Sequence, residues 1–322
     1  MAKTRARTTP PRPTDPRPAK FDPDLLTIVT TYFNPIQYDS RQRLYAPFAQ
    51  HMRDAGMRLL TIECALGDRP FEVTTPRHPY HLQVRVKSVT WLKENLVNLA
   101  LRSIAPETQY VGWIDADITF RDPHWATETI HALQHYAIVQ PWSDCYDLGP
   151  HGEHMEHHRS FASLYRRNAP RGKGYCAWHP GFAWCARRDA LDAVGGLFDF
   201  GILGSGDAHM AFALIGQVSD SFPGPLSAGY TRELRTWQER ARRAFDGNLG
   251  YVPGTIEHSF HGRKQDRQYL SRRDIIRTHQ LDPDLDVRRN LNGVYELAGN
   301  KPAMRDAFDR YFRQRKEDVN FL

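Results

Sequence analysis

The 322-residue chain is expected to fold as an α/β protein, a mixed and mostly parallel sheet flanked by helices. Three observations predict it. Apolar, β-branched runs alternate with amphipathic helical stretches through roughly the first 140 residues, the pattern of βαβ units. Those runs are continuous rather than alternating, as in strands covered on both faces. Two carboxylates close one of them, in GWIDADITF (112–120). In open α/β sheets, ligands bind beyond the carboxyl ends of strands.

The elements follow in order. LLTIVTTYF (25–33) reads as a buried first strand ending at Asn34-Pro35. Ser40 caps a helix to Gly56 with Leu44, Phe48 and Met52 on one face, and Pro47 should kink or split it. MRLLTIECAL (57–66) is a second strand. Ser88 starts a helix to about Ala105, with Val89, Leu92, Leu96 and Leu99 as its buried stripe and Pro106 as its stop. YVGWI (110–114) is a third strand. Asp122-Pro123 supplies an N-cap and a first-turn proline for a helix over 123–136, and AIVQPW (137–142) is a fourth strand. Residues 179–214 read as a strand, a short helix closed by Gly195-Gly196, a loop, and a helix beginning near Gly206-Asp207. Three units are expected: a basic, proline-rich tail over 1–22, one α/β domain over 23–270, and a helical extension over 271–322.

Composition narrows the function classes. The net charge of +6 is concentrated in residues 1–20, where Lys3, Arg5, Arg7, Arg12, Arg17 and Lys20 oppose only Asp15. Such a segment buries no apolar surface; it is a solubilising leader or an arm for a polyanion such as DNA. Residues 231–280 hold eleven Lys or Arg against six Asp or Glu, which predicts a local basic face. No apolar run approaches a membrane span and no secretory core opens the chain, so a cytoplasmic protein is expected. The four cysteines form no CxxC pair and are expected to stay reduced. No GxGxxG or GxxxxGK stretch supports a dinucleotide site or a P-loop.

The chemistry starts at Asp115 and Asp117. In an extended chain, positions i and i+2 face the same side, so the two acids are expected to converge on one point and to repel unless a cation or a solvated exit holds them. Hard oxygen ligands suit Mg²⁺ or Mn²⁺, with phosphates completing the shell. Gly204, Ser205 and Gly206 let backbone approach a ligand, and Asp207 opens a helix whose dipole favours its ionised form. IEHSFHGRKQDRQY (256–269) puts His258 and His261 on a strand before a basic turn, and imidazole favours Mn²⁺ over Ca²⁺. His261 is preferred because Gly262 follows it; His258 stays a candidate. HGEHMEHHRS (151–160) has no cysteine partner for zinc and reads as a mobile acceptor-side loop or lid. Trp142, Trp178 and Trp184 are core or stacking residues, with Trp178 the exception most suited to an acceptor.

Gly181, Arg187/Arg188, Val194-Gly195-Gly196-Leu197 and Gly204-Ser-Gly-Asp207 together resemble the galactosyltransferase-type segment of the GT-A fold nucleotide-sugar glycosyltransferases. The family's Trp and Glu before the final acid are absent here. WLKENLVN (91–98) is similar to the family helix that attends the nucleotide. The resemblance spans about residues 25 to 265. It implies a GT-A fold and a divalent ion, Mn²⁺ or Mg²⁺, on Asp115, Asp117 and His261 or His258. It further implies a nucleotide-sugar donor, UDP-linked, on Thr30, Tyr32, Lys93, Asn98, Asp115 and Arg263. Asp207 becomes the catalytic base of an inverting transfer, with Trp178, Gly204, Ser205, Gly206 and His209 on the acceptor side. The resemblance implies a glycan acceptor, the basic tail and Arg-rich C-terminal region allow a hydroxymethylated DNA base instead, and no protein partner is implied. The alternatives are a non-catalytic carbohydrate- or nucleic-acid-binding protein on the same scaffold, or a metal-dependent nucleotidyltransferase.

Overall fold

A computed structural model describes residues 25–171, 178–222, 224–268 and 272–318. The 1–22 tail and Cys176 lie outside these residues. The buried run at the start forms β1 (Leu26–Phe33), followed by α1 (Asp39–Asp54), β2 (Arg58–Leu66), β3 (His81–Val86), α2 (Lys93–Leu101) and β4 (Tyr110–Ile114). Next come β5 (Ile118–Phe120), α3 (Trp125–His135), β6 (Ile138–Gln140), β7 (Asp144–Leu148), β8 (His154–Arg159), α4 (Phe161–Arg166) and β9 (Ala183–Arg187). The chain continues through α5 (Arg188–Val194), α6 (Gly206–Leu214), α7 (Ala228–Phe245), β10 (Leu249–Tyr251) and β11 (Thr255–His258). It closes with α8 (Arg272–Thr278), α9 (Pro283–Asp286), β12 (Val287–Arg289), β13 (Tyr295–Leu297) and α10 (Pro302–Gln314).

The central sheet runs β10-β6-β9-β4-β1-β2-β3. Only β9 opposes its neighbours; every other pairing is parallel. This is the mixed, mostly parallel α/β sheet expected from the sequence. Period-2 alternation splits its core: Leu26 and Ile28 pack with Ala183 and Cys185, whereas Val29 packs with Trp113 and Trp184. A second sheet, β5-β11-β7-β8, stands at the carboxyl edge of β4. No helix among the described residues is long and apolar enough to cross a membrane.

Several local expectations are corrected. α1 runs unbroken through Pro47, and Ser40 does not cap it. The carboxylate of Asp318 does so instead, accepting the Asp39 N–H at 2.9 Å and the Ser40 N–H at 2.8 Å. α2 begins at Lys93 because Ser88 Oγ is taken by the Leu297 N–H at 3.0 Å, and Asp122 forms a turn onto the His124 N–H rather than a helix cap. β3 was not foreseen. Most of the histidine-rich segment is not a loop: residues 154–159 form β8, hydrogen-bonded to β7 as a hairpin, with 151–153 in its turn. The segment after 271 is not helical alone, since the antiparallel ribbon β12-β13 interrupts it.

Candidate active site

β4 ends at Ile114, and the Asp115 N–H closes its ladder onto Phe182 O at 2.9 Å. Residues 115–117 then turn the chain from the central sheet into β5 of the second. The two acids therefore lie in a turn rather than on one strand, and their side chains diverge. Asp115 Oδ1 lies 2.7 Å from Lys93 Nζ, while Asp117 Oδ2 lies 3.0 Å from His261 Nε2 and 3.6 Å from His258 Nε2. Both still line one cavity of about 170 Å³.

Asp117, His258 and His261 form a three-ligand group whose ligand atoms all lie within 4.8 Å of one another. His258 Nδ1 donates to Asp147 Oδ1 at 2.6 Å, which orients the ring and leaves Nε2 directed at the group. Burial works against a charge on His258, but Asp117 and Asp147 outweigh it and carry its pKa up to about 9. Burial likewise opposes the charge of Asp117, yet His258 and His261 hold its carboxyl well below the usual range. Burial and Arg267 push His261 the other way, toward the neutral imidazole a metal requires. Asp117 Oδ1 is buried without a hydrogen-bond partner, a costly state for a carboxylate oxygen. One carboxylate and two imidazoles, with that orphaned oxygen among them, fit a divalent metal ion. Asp115 does not belong to this group.

The other half of the cavity is an acid–ammonium–acid cluster. α6 brings Asp207 into its first turn, and Lys93 Nζ lies 3.3 Å from both Asp207 oxygens as well as against Asp115. Burial penalises the Lys93 charge, but Asp115 and Asp207 offset it and hold the pKa above the ordinary lysine value. Burial raises Asp115 to about 6, with Lys93 opposing the shift. The small residues before α6 serve internal packing more than a ligand. A Cβ on Gly204 (φ +87°) would fall 2.6 Å from the Arg272 guanidinium carbon, and one on Gly206 2.4 Å from the Glu94 carboxyl carbon. Ser205 faces the cavity with φ +76°.

Sequence reasoning missed much of the wall. His179 is 5% exposed and stacks on Phe182 at 4.0 Å, and Phe182 holds φ +76°, a strained conformation for a bulky residue. Arg41, Arg267, Arg272 and Arg315 also line the cavity. The basic excess over 231–280 signals Arg267 and Arg272, and the basic turn after His261 also contains Arg267; nothing marked Arg41, Arg315 or His179.

Other candidates are spent elsewhere. Thr30 Oγ1 donates to Ile114 O at 2.9 Å inside the sheet; its neighbours Thr31 and Tyr32 line the cavity. Asn98 clamps the end of α5, accepting the Leu197 N–H at 2.7 Å and donating to Asp199 at 3.0 Å, in a different cavity. Arg263 is exposed and does not line the site; Arg267, one 3₁₀ turn later, does. His209 is a core residue held by Ser221 at 2.7 Å and Tyr230 at 3.2 Å. Trp178 packs edge-on to Phe161 at 5.2 Å, away from the cavity. β7 and β8 contribute a second three-ligand group, Asp147, Glu156 and His158, but Lys264 Nζ already ion-pairs with both of its acids.

No family model matches the chain, and no curated protein matches it. Among solved structures, it is similar to the catalytic domain of Drosophila β1,4-galactosyltransferase 7 in complex with xylobiose. That match has 13% identity, covers 87% of this chain and 98% of that one, and has a TM-score of 0.38. It is also similar to S. aureus TarS 1-349 in complex with UDP-GlcNAc, at 8% identity over 74% and 59% of the two chains, with a TM-score of 0.37. A 4-diphosphocytidyl-2C-methyl-D-erythritol synthase from Anaerococcus prevotii matches at 9% identity over 72% and 90%, with a TM-score of 0.34. Likenesses this distant do not choose between sugar transfer and nucleotidyl transfer; the residues of the site must.

Proposed function

We propose that the protein is a metal-dependent glycosyltransferase that moves a hexose from a UDP-sugar to a hydroxyl of a glycan acceptor, with inversion, in the cytoplasm. One observation carries this reading: the Asp117–His258–His261 group and the Asp115–Lys93–Asp207 cluster line the same cavity. Mn²⁺ or Mg²⁺ on Asp117, His258 and His261 would supply charge neutralisation for a departing diphosphate. Asp207 takes the proton of the acceptor hydroxyl as that oxygen bonds to the anomeric carbon. The bond from that carbon to the diphosphate oxygen breaks, and the diphosphate leaves with the electron pair. Lys93 holds Asp207 in place through contacts to both of its oxygens, and Asp115 fixes Lys93 in turn.

Asp207→Asn is expected to lower transfer by about 10²- to 10⁴-fold, the usual contribution of a general base. Donor affinity should stay within about threefold, because the base acts on the acceptor. Turnover at the wild-type level would remove Asp207 from the role. Release of free nucleoside diphosphate distinguishes this reaction from nucleotidyl transfer, which releases pyrophosphate. Transfer to duplex DNA, falling steeply with salt, would move the acceptor from glycan to hydroxymethylated base.

A further inference from the structure

The last described residues form part of the cavity. Phe312 and Arg315 line it, although the motifs that define the site end near residue 265. Beyond α10 the chain is wedged between the start of α1 and the loop that carries His261. Tyr38 Oη donates to Phe312 O at 2.9 Å and accepts the Lys316 N–H at 3.1 Å, and Asp318 caps α1. On the other side, a Cβ on Gly262 (φ +92°) would fall 2.9 Å from Glu317 Cα. The glycine that seemed to admit a ligand admits this strap instead.

Glu317 is the centre of the strap. Its side chain is 1% exposed and its carboxylate accepts Arg41 Nε at 2.5 Å, Arg41 Nη2 at 2.8 Å and Arg315 Nε at 2.6 Å. Arg41 and Arg315 thus arrive from opposite ends of the chain and are fixed by one buried acid. Arg315 Nη1 donates to Tyr311 Oη at 2.9 Å, and Arg272 Nη1 reaches the same oxygen at 3.2 Å. The Arg315 and Arg272 guanidinium carbons lie 5.2 Å and 5.6 Å from the Trp91 ring centroid. Among the residues lining the cavity, the cations Arg41, Lys93, Arg267, Arg272 and Arg315 outnumber the carboxylates Asp115, Asp117 and Asp207. A cavity whose lining cations outnumber its lining acids favours an anionic ligand, and guanidinium forks match phosphate oxygens in pairs.

We propose that Glu317 is a positioning residue that holds Arg41 and Arg315 as a clamp for the diphosphate of the donor, so that the C-terminal strap completes the donor site. This rests on the glycosyltransferase reading. The test is calorimetry with the full chain in Mn²⁺, titrating UDP against UMP, with GDP and GMP as a second pair. Arg315→Lys keeps the charge but loses the fork; Glu317→Gln keeps the shape but loses the charge that fixes both arginines. Each is expected to weaken nucleoside diphosphate by about tenfold or more and monophosphate by no more than about threefold. Equal weakening of both nucleotides, or of neither, would overturn the clamp. If Glu317→Gln does not fold, Arg315→Lys decides by the same criterion. Wild-type protein that binds no nucleoside diphosphate would overturn the glycosyltransferase reading together with the clamp. Wild-type binding with unaffected variants sinks the clamp alone.

Discussion

Two three-ligand groups lie side by side, linked by Asp147. In one, Asp117, His258 and His261 converge, and Asp117 Oδ1 is buried with no hydrogen-bond partner. In the other, Asp147, Glu156 and His158 converge as tightly, but Lys264 Nζ is ion-paired with both acids. Spacing does not tell them apart, and their ligand sets differ only by an acid in place of one imidazole; the charge already in place separates them. An ammonium satisfies the second group. In the first, the protein offers a lone carboxylate oxygen and two imidazoles to a cavity. Asp147 serves both, paired with Lys264 and orienting His258.

The comparison can be broken most directly at Asp117. Asp117→Asn is expected to weaken Mn²⁺ by about 100-fold or more, because it removes the charged ligand while keeping its shape; calorimetry reads it. Asp147→Asn touches the ion only through His258, so a smaller loss, about 10- to 100-fold in Mn²⁺ affinity, is expected.

His209 sharpens the contrast from a third environment. It is buried among apolar residues, which pushes its pKa down to about 3, with Arg273 and Arg272 adding to the shift. The folded state keeps it neutral while the unfolded chain binds a proton below about pH 6.5, so this stability is present above that pH and is lost as pH falls toward 3. Between pH 6.5 and 5 the loss is roughly 1.5 kcal/mol. Denaturant melts of wild type and His209→Gln at the two pH values should show that the variant loses less. The smallest effect belongs to Lys264→Ala. Lys264 is 41% exposed at its side chain, so solvent screening limits the cost to about 1 kcal/mol of stability, read from the melting temperature. Mn²⁺ affinity at the first group should change by less than about threefold, and a second, weaker zinc equivalent should appear once the ammonium is gone. A Lys264→Ala protein that loses its first ion would mean that the two groups act as one.

The sequence made some of this legible and hid the rest for physical reasons. β1, β2 and β4 are buried on both faces, so their apolar runs mark them to within a residue or two. β3 is a half-exposed edge strand, HLQVRV, with too little apolar contrast to stand out. β8 reads as a polar loop because its strand character comes from pairing with β7, not from its own residues. At the candidate site, Lys93, Asp115, Asp117, Asp207 and His258 could be singled out because each lies beside the end of a strand or the start of a helix, within a short motif; His261 belongs to the same motif but lies in the loop after β11, not on the strand expected for it. Asn98 and His209 were misassigned because their polar atoms are satisfied by partners about 100 and 12 residues away, which no local pattern reveals. Arg41 and Arg315 were invisible for the same reason: one acid, Glu317, brings them together from opposite ends of the fold.

Anomalous diffraction from crystals grown with Mn²⁺ and UDP tests the metal assignment most directly. One peak is expected, bonded at about 2.0–2.5 Å to Asp117, His258 and His261. A peak at Asp147, Glu156 and His158, or no peak beside Asp117, would contradict it.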